Sequence, residues 1–408
     1  MTSRFQIPNI PRLYRDAYAG LPRIAWRLAL VILINRSGSM VLFFMTLYLT
    51  RRLDFSVILA GQMISLYGFG SIIGNWLGGW FSDRWGTGRV MWLSLLFSGI
   101  GFLTLMVCKT PAAFGPVLFT LAVVSEAFRP ANAAAMAGAV EPSMRARAFA
   151  LQRLAVNLGV AIGPALGGFL ARRDYGYLFW VDGLTCLAAA LLSWRYFRDS
   201  ARPDQFDPPA PKNKAESPLR DPVLVRVLGL FFLMGILFFQ LFNTWPLTLR
   251  EQYLLTEDRI GLLLTLNAAM IVFIEMPLIH RLEKKDPLRI IRVGALLLFS
   301  GFVLLPLGGT FPFAALTVVV WTSGEILVFP LIMAVVSNRA DDVNRGRVMG
   351  LFTLVFSLSF IAGPALGTRV YDTWGSSTLW FGFAGVGFLV WLGFTRLQRL
   401  YDQTGGQT

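Results

Sequence analysis

Charged residues are scarce in this chain: they make up 15% of its 408 residues, whereas a soluble protein would have about 25%. Histidine is scarcer still. His280 is the only one, which argues against a catalytic relay or metal centre built from histidines. The two cysteines, Cys108 and Cys186, each lie in an apolar stretch, which argues against a disulfide framework. A Gly-Lys loop that could cradle phosphate is also missing, so ATP-driven transport is not predicted.

Hydrophobic residues dominate instead, at 55% of the chain, with a mean hydropathy of +0.59. They come in runs of about 20, the length of a helix that crosses a bilayer core of roughly 30 Å. The sequence therefore predicts an all-α membrane protein with 12 transmembrane helices, called spans 1 to 12 below. Their predicted bounds are 23–50, 56–82, 89–108, 111–140, 144–171, 177–197, 222–249, 257–282, 288–307, 311–337, 344–371 and 377–397.

The net charge of +14 is distributed unevenly along the chain. By our count, the loops on one side of the predicted spans hold about 26 Lys and Arg residues, and those on the other side about 8. Basic loops face the cytoplasm, so both termini are predicted to be cytoplasmic and the protein to lie in a bacterial inner membrane. These loops are interpreted as setting topology and attracting anionic lipid, not as binding nucleic acid.

The spans divide into two sets of six. The prediction comprises a cytoplasmic N-terminal arm (1–22), a six-helix bundle (23–197), a cytoplasmic linker rich in proline and charge (198–221), a second six-helix bundle (222–399) and a cytoplasmic tail (400–408). The arm has no small-residue cleavage pattern, so we do not interpret it as a signal peptide.

The two halves repeat each other in sequence. From residue 130 to residue 167, adding 200 aligns the chain with itself without a gap. Pro130 then meets Pro330, and the sequence GPALG at 163–167 recurs at 363–367. Such repetition predicts a duplicated six-helix unit, and hence two pseudo-symmetric six-helix bundles.

These features resemble the major facilitator superfamily over nearly the whole chain. The loop between spans 2 and 3 is similar to the superfamily's cytoplasmic loop signature at Gly79, Asp83, Arg84, Gly86 and Arg89. It departs from the signature where Thr87 and Gly88 replace a second basic residue. The resemblance implies that Asp83 and Arg84 join a charge network that latches the two halves together on the cytoplasmic side.

A glycine-rich motif surrounds a proline inside span 5 and again inside span 11. Its residues are Gly159, Gly163, Pro164, Gly167 and Gly168 in span 5, and Gly363, Pro364 and Gly367 in span 11. Proline removes one helical hydrogen bond, and the glycines let another helix approach closely, so we interpret the motif as a bend with a tight helix contact. In span 5 it also resembles the motif of drug:proton antiporters. That resemblance implies packing against the facing helix of the other half, which would seal a leak.

Ionisable side chains within membrane spans are costly and are functional candidates by default. The candidates for proton coupling or for the substrate cavity are Glu126, Glu325, Arg36, Arg129, Glu275 and Asp182. Glu126 and Glu325 occupy nearly equivalent places before Pro130 and Pro330. The resemblance implies that spans 1, 4, 7 and 10 line a central cavity, so both carboxylates would face it. The alternative is that Glu126 is simply neutralised by Arg129, three residues along the same helix, or by Arg36.

The sequence favours a secondary active transporter that works by alternating access. The first hypothesis is proton-coupled export of lipophilic or cationic small molecules, with protons as coupling ion, no cofactor and a monomeric carrier in the lipid bilayer. Arg129 adjoins Pro130, whereas the antiporter branch commonly has its arginine about ten residues upstream. This departure keeps open a carrier for a specific solute such as a peptide, sugar, lysolipid or metabolite, by symport or uniport. A membrane enzyme is not favoured, and a non-transporting receptor would have no need of buried acids.

Overall fold

The computed structural model describes residues 20–141, 144–197, 218–282, 285–339 and 345–403, and within these ranges the chain forms helices and no β-strand. Most of the N-terminal arm, the linker and the tail lies outside them. We keep the span numbers for the helices. Their bounds are Arg23–Ser37 and Val41–Arg52 (span 1), Val57–Trp85 (2), Thr87–Val107 (3), Pro111–Gly138 (4), Arg145–Arg173 (5), Gly176–Phe197 (6), Pro222–Phe238 and Thr244–Glu251 (7), Glu257–Met270 and Met276–Leu282 (8), Pro287–Val303 (9), Phe311–Asn338 (10), and Arg345–Gln403 (11 and 12).

Ten helices of the described residues are long and apolar enough to cross a membrane. One of them, Arg347–Arg399, has 53 residues and at 1.5 Å per residue would be about 80 Å long, more than twice a bilayer core. The backbone breaks within it at Gly375, where φ is 84° and ψ is 165°. The helix Pro287–Val303 has 17 residues and is not among these ten, each of which has at least 21 residues. The all-helical membrane fold is confirmed, and the count of twelve spans stays a prediction.

Two spans that we predicted to be continuous helices are broken near their middles. Span 1 stops at Ser37 and restarts at Val41. Span 7 passes through a short 3₁₀ segment, Phe239–Phe242, before Thr244. Span 8 contains a π-helical turn at Ile271–Glu275, a feature that is frequent at functional sites. Hydropathy does not reveal these breaks, because apolar residues continue through each of them.

The duplication is visible in the backbone. The turns that follow spans 1 and 7 each contain a non-glycine residue with positive φ, Asp54 at 53° and Leu254 at 54°. This conformation is uncommon for such residues, and the two positions are 200 residues apart. The two halves therefore share local geometry as well as sequence.

Glycines allow close packing inside the first half. A Cβ on Gly74 of span 2 would lie 2.2 Å from the carbonyl oxygen of Val123 in span 4, and a Cβ on Gly78 would lie 2.5 Å from that of Ala127. Such rows of small residues let helix backbones approach closely in a membrane. Span 2 is thereby held against span 4, the helix that presents Glu126.

Asp221 joins the start of span 7 to the end of span 10. Its carboxylate accepts hydrogen bonds from the N–H groups of Val223 and Leu224 at 2.9 and 3.2 Å, and from Arg339 Nε at 2.5 Å. Burial alone would raise the pKa of Asp221, but the bonds from Arg339 and from the two backbone groups outweigh it and hold the pKa below its ordinary value. The charged form of Asp221 is therefore the one that stabilises the folded protein.

We expect Asp221→Ala to lower the free energy of unfolding at pH 7 by about 1–2 kcal/mol, the typical effect of losing an N-cap. The folded pKa lies below the unfolded value of about 3.9, so the stabilisation is present above about pH 4 and disappears as the pH falls through the folded pKa. Thermal melts in detergent at pH 7 and pH 3 measure this, with the exposed Asp372→Ala as control. An equal loss at both pH values would contradict the assignment.

Candidate functional site

A central cavity of about 350 Å³ lies between the two halves. Spans 1 to 8 and span 10 all contribute to it, so more spans line it than the four that the resemblance implies. Its polar and charged lining residues are Arg36, Ser39, Tyr67, Glu126, Asn157, Asp182, Asn267 and Glu325. The remaining lining is mainly aliphatic and aromatic, the usual character of a small-molecule site. Glu126 and Glu325 thus face one cavity from opposite halves.

Glu325 is the acidic group on the second-half wall of the cavity. Its carboxylate accepts a hydrogen bond of 2.8 Å from Asn267 Nδ2, which also lies 3.1 Å from Thr322 Oγ1. Among the described residues, Glu325 has no ion-pair partner. A carboxylate that is held by one amide in an apolar cavity is well suited to binding a proton or a cation.

Glu126, on the opposite wall, is held in an ion pair. Arg129 Nη1 lies 3.3 Å from Glu126 Oε2 on the next turn of span 4. The Arg129 side chain is 59% exposed, and that of Glu126 is 13% exposed. The structure thus forms the i, i+3 pair that the spacing predicts, and Arg129 does not line the cavity.

Arg36 lies at the end of the first segment of span 1 and lines the cavity. Its Nε is buried without a hydrogen-bond partner, and no ion pair of its guanidinium occurs among the described residues. Gly159 of span 5 makes room for it, since a Cβ there would lie 2.5 Å from the Arg36 Cβ. Glu126 is the acidic group that acts most strongly on the charge of Arg36, as the alternative in the sequence analysis expected, but the two do not form an ion pair. The guanidinium can therefore also accept a ligand.

Asp182 holds the break in span 1. Although it comes early in span 6, it is only 2% exposed and lies inside the bundle. Its carboxylate accepts hydrogen bonds from the N–H of Met40 at 3.1 and 3.3 Å and from the N–H of Val41 at 3.1 Å. These donors begin the second segment of span 1, where N–H groups lack a partner within the helix. The Met40 N–H also reaches the Gly38 carbonyl oxygen at 2.8 Å, whereas Asp182 is the acceptor for Val41. Asp182 is thus occupied by backbone groups, although it borders the cavity.

Glu275 lies outside the cavity lining and bridges the two halves. It is the last residue of the π-helical turn of span 8 and forms an ion pair with Arg153 of span 5. Arg153 is absent from the candidates predicted from the sequence. A signal for it was available, because Arg153 is an ionisable residue inside a predicted span.

The glycine motif of span 5 faces two neighbours, span 1 of the same half and span 8 of the other half. The contact with span 8 is the one that the resemblance implies, and the contact with span 1 was not predicted. Added Cβ atoms on Gly163 and Gly167 would lie 3.0 Å from the Ser39 carbonyl oxygen and 2.7 Å from the Met40 Cβ. Together with Gly159, they follow the break in span 1. Gly168 and Pro164 reach the other half. A Cβ on Gly168 would lie 2.4 Å from the Glu257 carbonyl oxygen of span 8, and a Cβ on Gly261 of span 8 would lie 2.5 Å from the Pro164 carbonyl oxygen.

The motif in span 11 has the same arrangement. Cβ atoms on Gly363 and Gly367 would lie 3.1 Å from the Ile236 carbonyl oxygen and 1.9 Å from Gln240 Oε1, next to the break in span 7. Pro164 and Pro364 each lie inside a helix beside these contacts. The repeated motif therefore supports the broken helix in each half.

The halves cross at two points related by the 200-residue offset. Gly61 of span 2 faces Thr368 of span 11, whose Oγ1 would lie 2.1 Å from an added Cβ. Gly261 of span 8 faces Gly168 of span 5, with 3.1 Å from an added Cβ to its Cα. Both crossings are too close for a large side chain.

Polar contacts join the halves on the far side of the bundle, which we define as the side where span 1 ends. Arg51 Nη2 lies 3.2 Å from Glu251 Oε1, and Tyr371 donates a 2.8 Å hydrogen bond to Glu251 Oε2. Arg51 and Glu251 occupy equivalent positions at the ends of spans 1 and 7. Opposite charges at repeat-related positions are a sequence signal that we did not use.

A second group of far-side contacts joins span 5 to span 8. Arg172 Nη1 lies 3.1 Å from Asp258 Oδ2, and Tyr175 donates a 2.8 Å hydrogen bond to Glu257 Oε1. The Arg172 side chain is 60% exposed. Solvent-exposed ion pairs contribute about 0–1 kcal/mol each, so these contacts can be broken and remade.

The loop signature between spans 2 and 3 lies on the opposite side of the bundle, where span 1 begins, which we call the near side. Gly86 has φ of 86°, a value that favours glycine, and it makes the corner between the two spans. Asp83, Arg84 and Arg89 are exposed, and the Arg84 guanidinium lies 3.8 Å from the ring centre of Trp80 on its own helix. A Cβ on Gly79 would meet open space. The latch role of this loop stays a prediction.

Comparison with known proteins agrees with the fold. The Na(+), Li(+), K(+)/H(+) antiporter of Planococcus maritimus is 25% identical over 91% of this chain and 94% of its own. The class C tetracycline resistance protein of Escherichia coli is 24% identical over 80% of this chain and 83% of its own. The crystal structure of the POT family transporter PepTSo superposes with a TM-score of 0.75 at 18% identity, over 94% of this chain and 99% of its own.

A multi-pass helical bundle around a small-molecule cavity defines the class of membrane carriers. The sequence profile described as Major Facilitator Superfamily matches residues 28–364, and this chain belongs to that family. The protein is therefore a membrane transporter for a small molecule and not an enzyme. The family resemblance in the sequence is confirmed.

Proposed function

We propose that the protein exports lipophilic or cationic small molecules in exchange for protons. The observation that carries the proposal is Glu325, a carboxylate that faces a mostly apolar cavity and is held only by Asn267 among the described residues. Two relatives support it by name, one an antiporter that uses H(+) and the other a tetracycline resistance protein.

The exchange follows from competition at one carboxylate. A proton that binds Glu325 removes the charge that would hold a cation, and a bound cation disfavours protonation. Substrate release on one side of the membrane therefore coincides with proton uptake there. Glu126 takes a secondary part, because Arg129 already neutralises it.

Alternating access requires that the halves separate on one side at a time. The far-side contacts of Arg51 with Glu251 and of Arg172 with Asp258 are exposed ion pairs that can open reversibly. Arg153 and Glu275 form an additional contact between spans 5 and 8. We assign the near side to the cytoplasm of a bacterial inner membrane, with both termini there, and the working unit to a monomer whose only coupling ion is the proton.

Substrate-triggered proton movement in proteoliposomes tests the proposal. Purified protein is reconstituted with an internal pH dye, a pH gradient is imposed, and lipophilic cations are added. We expect proton flux in the wild type, no flux in Glu325→Gln, and reduced but measurable flux in Glu126→Gln. Asp54→Asn is the matched control, since Asp54 is exposed and asparagine tolerates its positive φ. An unchanged Glu325→Gln would contradict the assignment.

A carrier for a specific solute is the second candidate function. The observation that favours it is Arg36, because a guanidinium that borders the cavity can hold an anionic group and so fix the orientation of one particular solute. This second candidate would be favoured if no compound in a broad panel triggers proton flux in the wild type and if the Glu126→Gln and Glu325→Gln variants behave like the wild type in the same assay.

A further inference from the structure

Some of the charged groups around the cavity already have partners within the protein, and others do not. Glu126 is paired with Arg129 at 3.3 Å. Asp182 accepts three hydrogen bonds from the backbone of span 1. Two charges then remain for a ligand, the Arg36 guanidinium on the first half and the Glu325 carboxylate on the second.

The Arg36 end is suited to an anion. The Arg36 side chain borders the cavity, and its guanidinium makes no ion pair among the described residues. An acceptor on a ligand would offset the cost of burying this charge. Tyr67, which interacts electrostatically with Arg36, and Asn157 also line the cavity and can donate hydrogen bonds. Planar recognition of a carboxylate by two guanidinium N–H groups is the strongest arrangement available to arginine.

The Glu325 end is suited to a cation, and most of the remaining lining of the cavity is apolar. Phe43 of span 1 and Phe242 of span 7 lie 4.9 Å apart, centre to centre, and both line the cavity. Leu264 of span 8 adds to this surface. A ligand that touches both charges must therefore carry an aromatic or aliphatic body between its own charges.

We propose that the cavity takes a small amphipathic zwitterion, with its carboxylate at Arg36, its protonated amine at Glu325 and an aromatic body between them. The inference rests on the proposed function, whose substrate class it narrows. Competition between the amine and a proton at Glu325 is unchanged by the added anionic contact.

Binding of three matched probes tests the inference. Norfloxacin carries a carboxylate and a protonated piperazine at opposite ends of an aromatic body, its methyl ester keeps only the cation, and its N-acetyl derivative keeps only the anion. Calorimetry on purified full-length protein at pH 7 is expected to give affinity for the zwitterion that is higher than for either derivative by roughly tenfold or more, the value of a hydrogen bond to a charged group.

Variants of Arg36 and Glu325 show which side chain binds which charged group of the probe. Arg36→Gln is expected to remove the preference for norfloxacin over its methyl ester, whereas Arg36→Lys keeps part of it. Glu325→Gln is expected to remove the preference over the N-acetyl derivative. Arg52→Gln, at an exposed far-side position, is the charge-matched control and should leave both preferences intact. Melting curves of each variant verify that it is folded.

Three results would overturn the inference: equal or tighter binding of the methyl ester in the wild type, an unchanged preference in Arg36→Gln, or no binding of any probe. The proposed function fails separately. A zwitterion preference without substrate-triggered proton flux would refute antiport and leave the inference standing. Proton flux that zwitterion and ester trigger equally, without a binding preference, would support antiport and refute the inference.

Discussion

Gly168→Leu is expected to lower transport roughly a hundredfold, which corresponds to about 3 kcal/mol of steric cost in the closed far side. A Cβ at this position would lie 2.4 Å from the Glu257 carbonyl oxygen and 3.0 Å from the Gly261 Cα. Both are backbone atoms and cannot move aside as a flexible side chain does. Spans 5 and 8 then cannot close, and the cycle loses one of its states.

The matched control is Gly382→Leu, because Gly382 in span 12 is exposed and a Cβ there meets nothing within 4 Å. Spin labels at the exposed far-side positions Thr110 and Thr310, in a background without the native cysteines, measure the separation of the halves. The separation should increase in Gly168→Leu and stay unchanged in Gly382→Leu. Normal transport by Gly168→Leu would contradict the assigned crossing.

Asp182→Ala is expected to lower the free energy of unfolding by about 2 kcal/mol, because it leaves the buried N–H of Val41 without an acceptor and leaves the N–H of Met40 with only the Gly38 carbonyl oxygen. The same change releases the break in span 1 that places Arg36 in the cavity, so substrate affinity should fall as well. Chemical or thermal unfolding in detergent measures the first effect, and ligand binding measures the second.

Asp182→Asn distinguishes capping from charge. The asparagine amide oxygen still accepts a backbone hydrogen bond, so the loss of stability in Asp182→Asn should be about half of the loss in Asp182→Ala. If Asp182→Ala unfolds like the wild type while proton flux disappears, then Asp182 acts as a coupling acid and not as a support for span 1.

Hydropathy and loop charge were sufficient to predict an all-helical membrane fold, because bilayer thickness fixes the length of each apolar run. The start of span 4 at Pro111 and the end of span 6 at Phe197 agree with the structure to the residue. The loop signature from Gly79 to Arg89 supported the family, which the profile match confirms. These features are local in sequence, and local reasoning finds them.

The breaks in spans 1 and 7 could not be predicted in this way. The support for the break at Ser37–Met40 comes from Asp182, more than 140 residues away in the sequence, and from the glycines of span 5. The glycine motif was correctly interpreted as a close-packing face, but its partner depends on how the helices are arranged. A pattern in one helix does not specify which neighbour it meets.

The candidate site was predicted in part. Glu126 and Glu325 do face one cavity, and their coupling roles remain a proposal. The pairing of Glu126 with Arg129 followed from their spacing. Glu325 has no ion-pair partner among the described residues, and this depends on which side chains surround it in three dimensions. Asp182 was grouped with the coupling candidates because a membrane carboxylate has few evident partners in a sequence, and backbone N–H groups exposed by a helix break are not visible there.

The central claim is that Glu325 links proton movement to substrate movement, and Glu325→Gln tests it most directly when two transport modes are compared. Proteoliposomes are assayed for exchange of labelled against unlabelled substrate without a pH gradient, and for accumulation driven by a gradient. We predict that Glu325→Gln loses gradient-driven accumulation and retains exchange at substrate concentrations high enough to offset its weaker binding of the cation. Accumulation at the wild-type level in Glu325→Gln would contradict the claim.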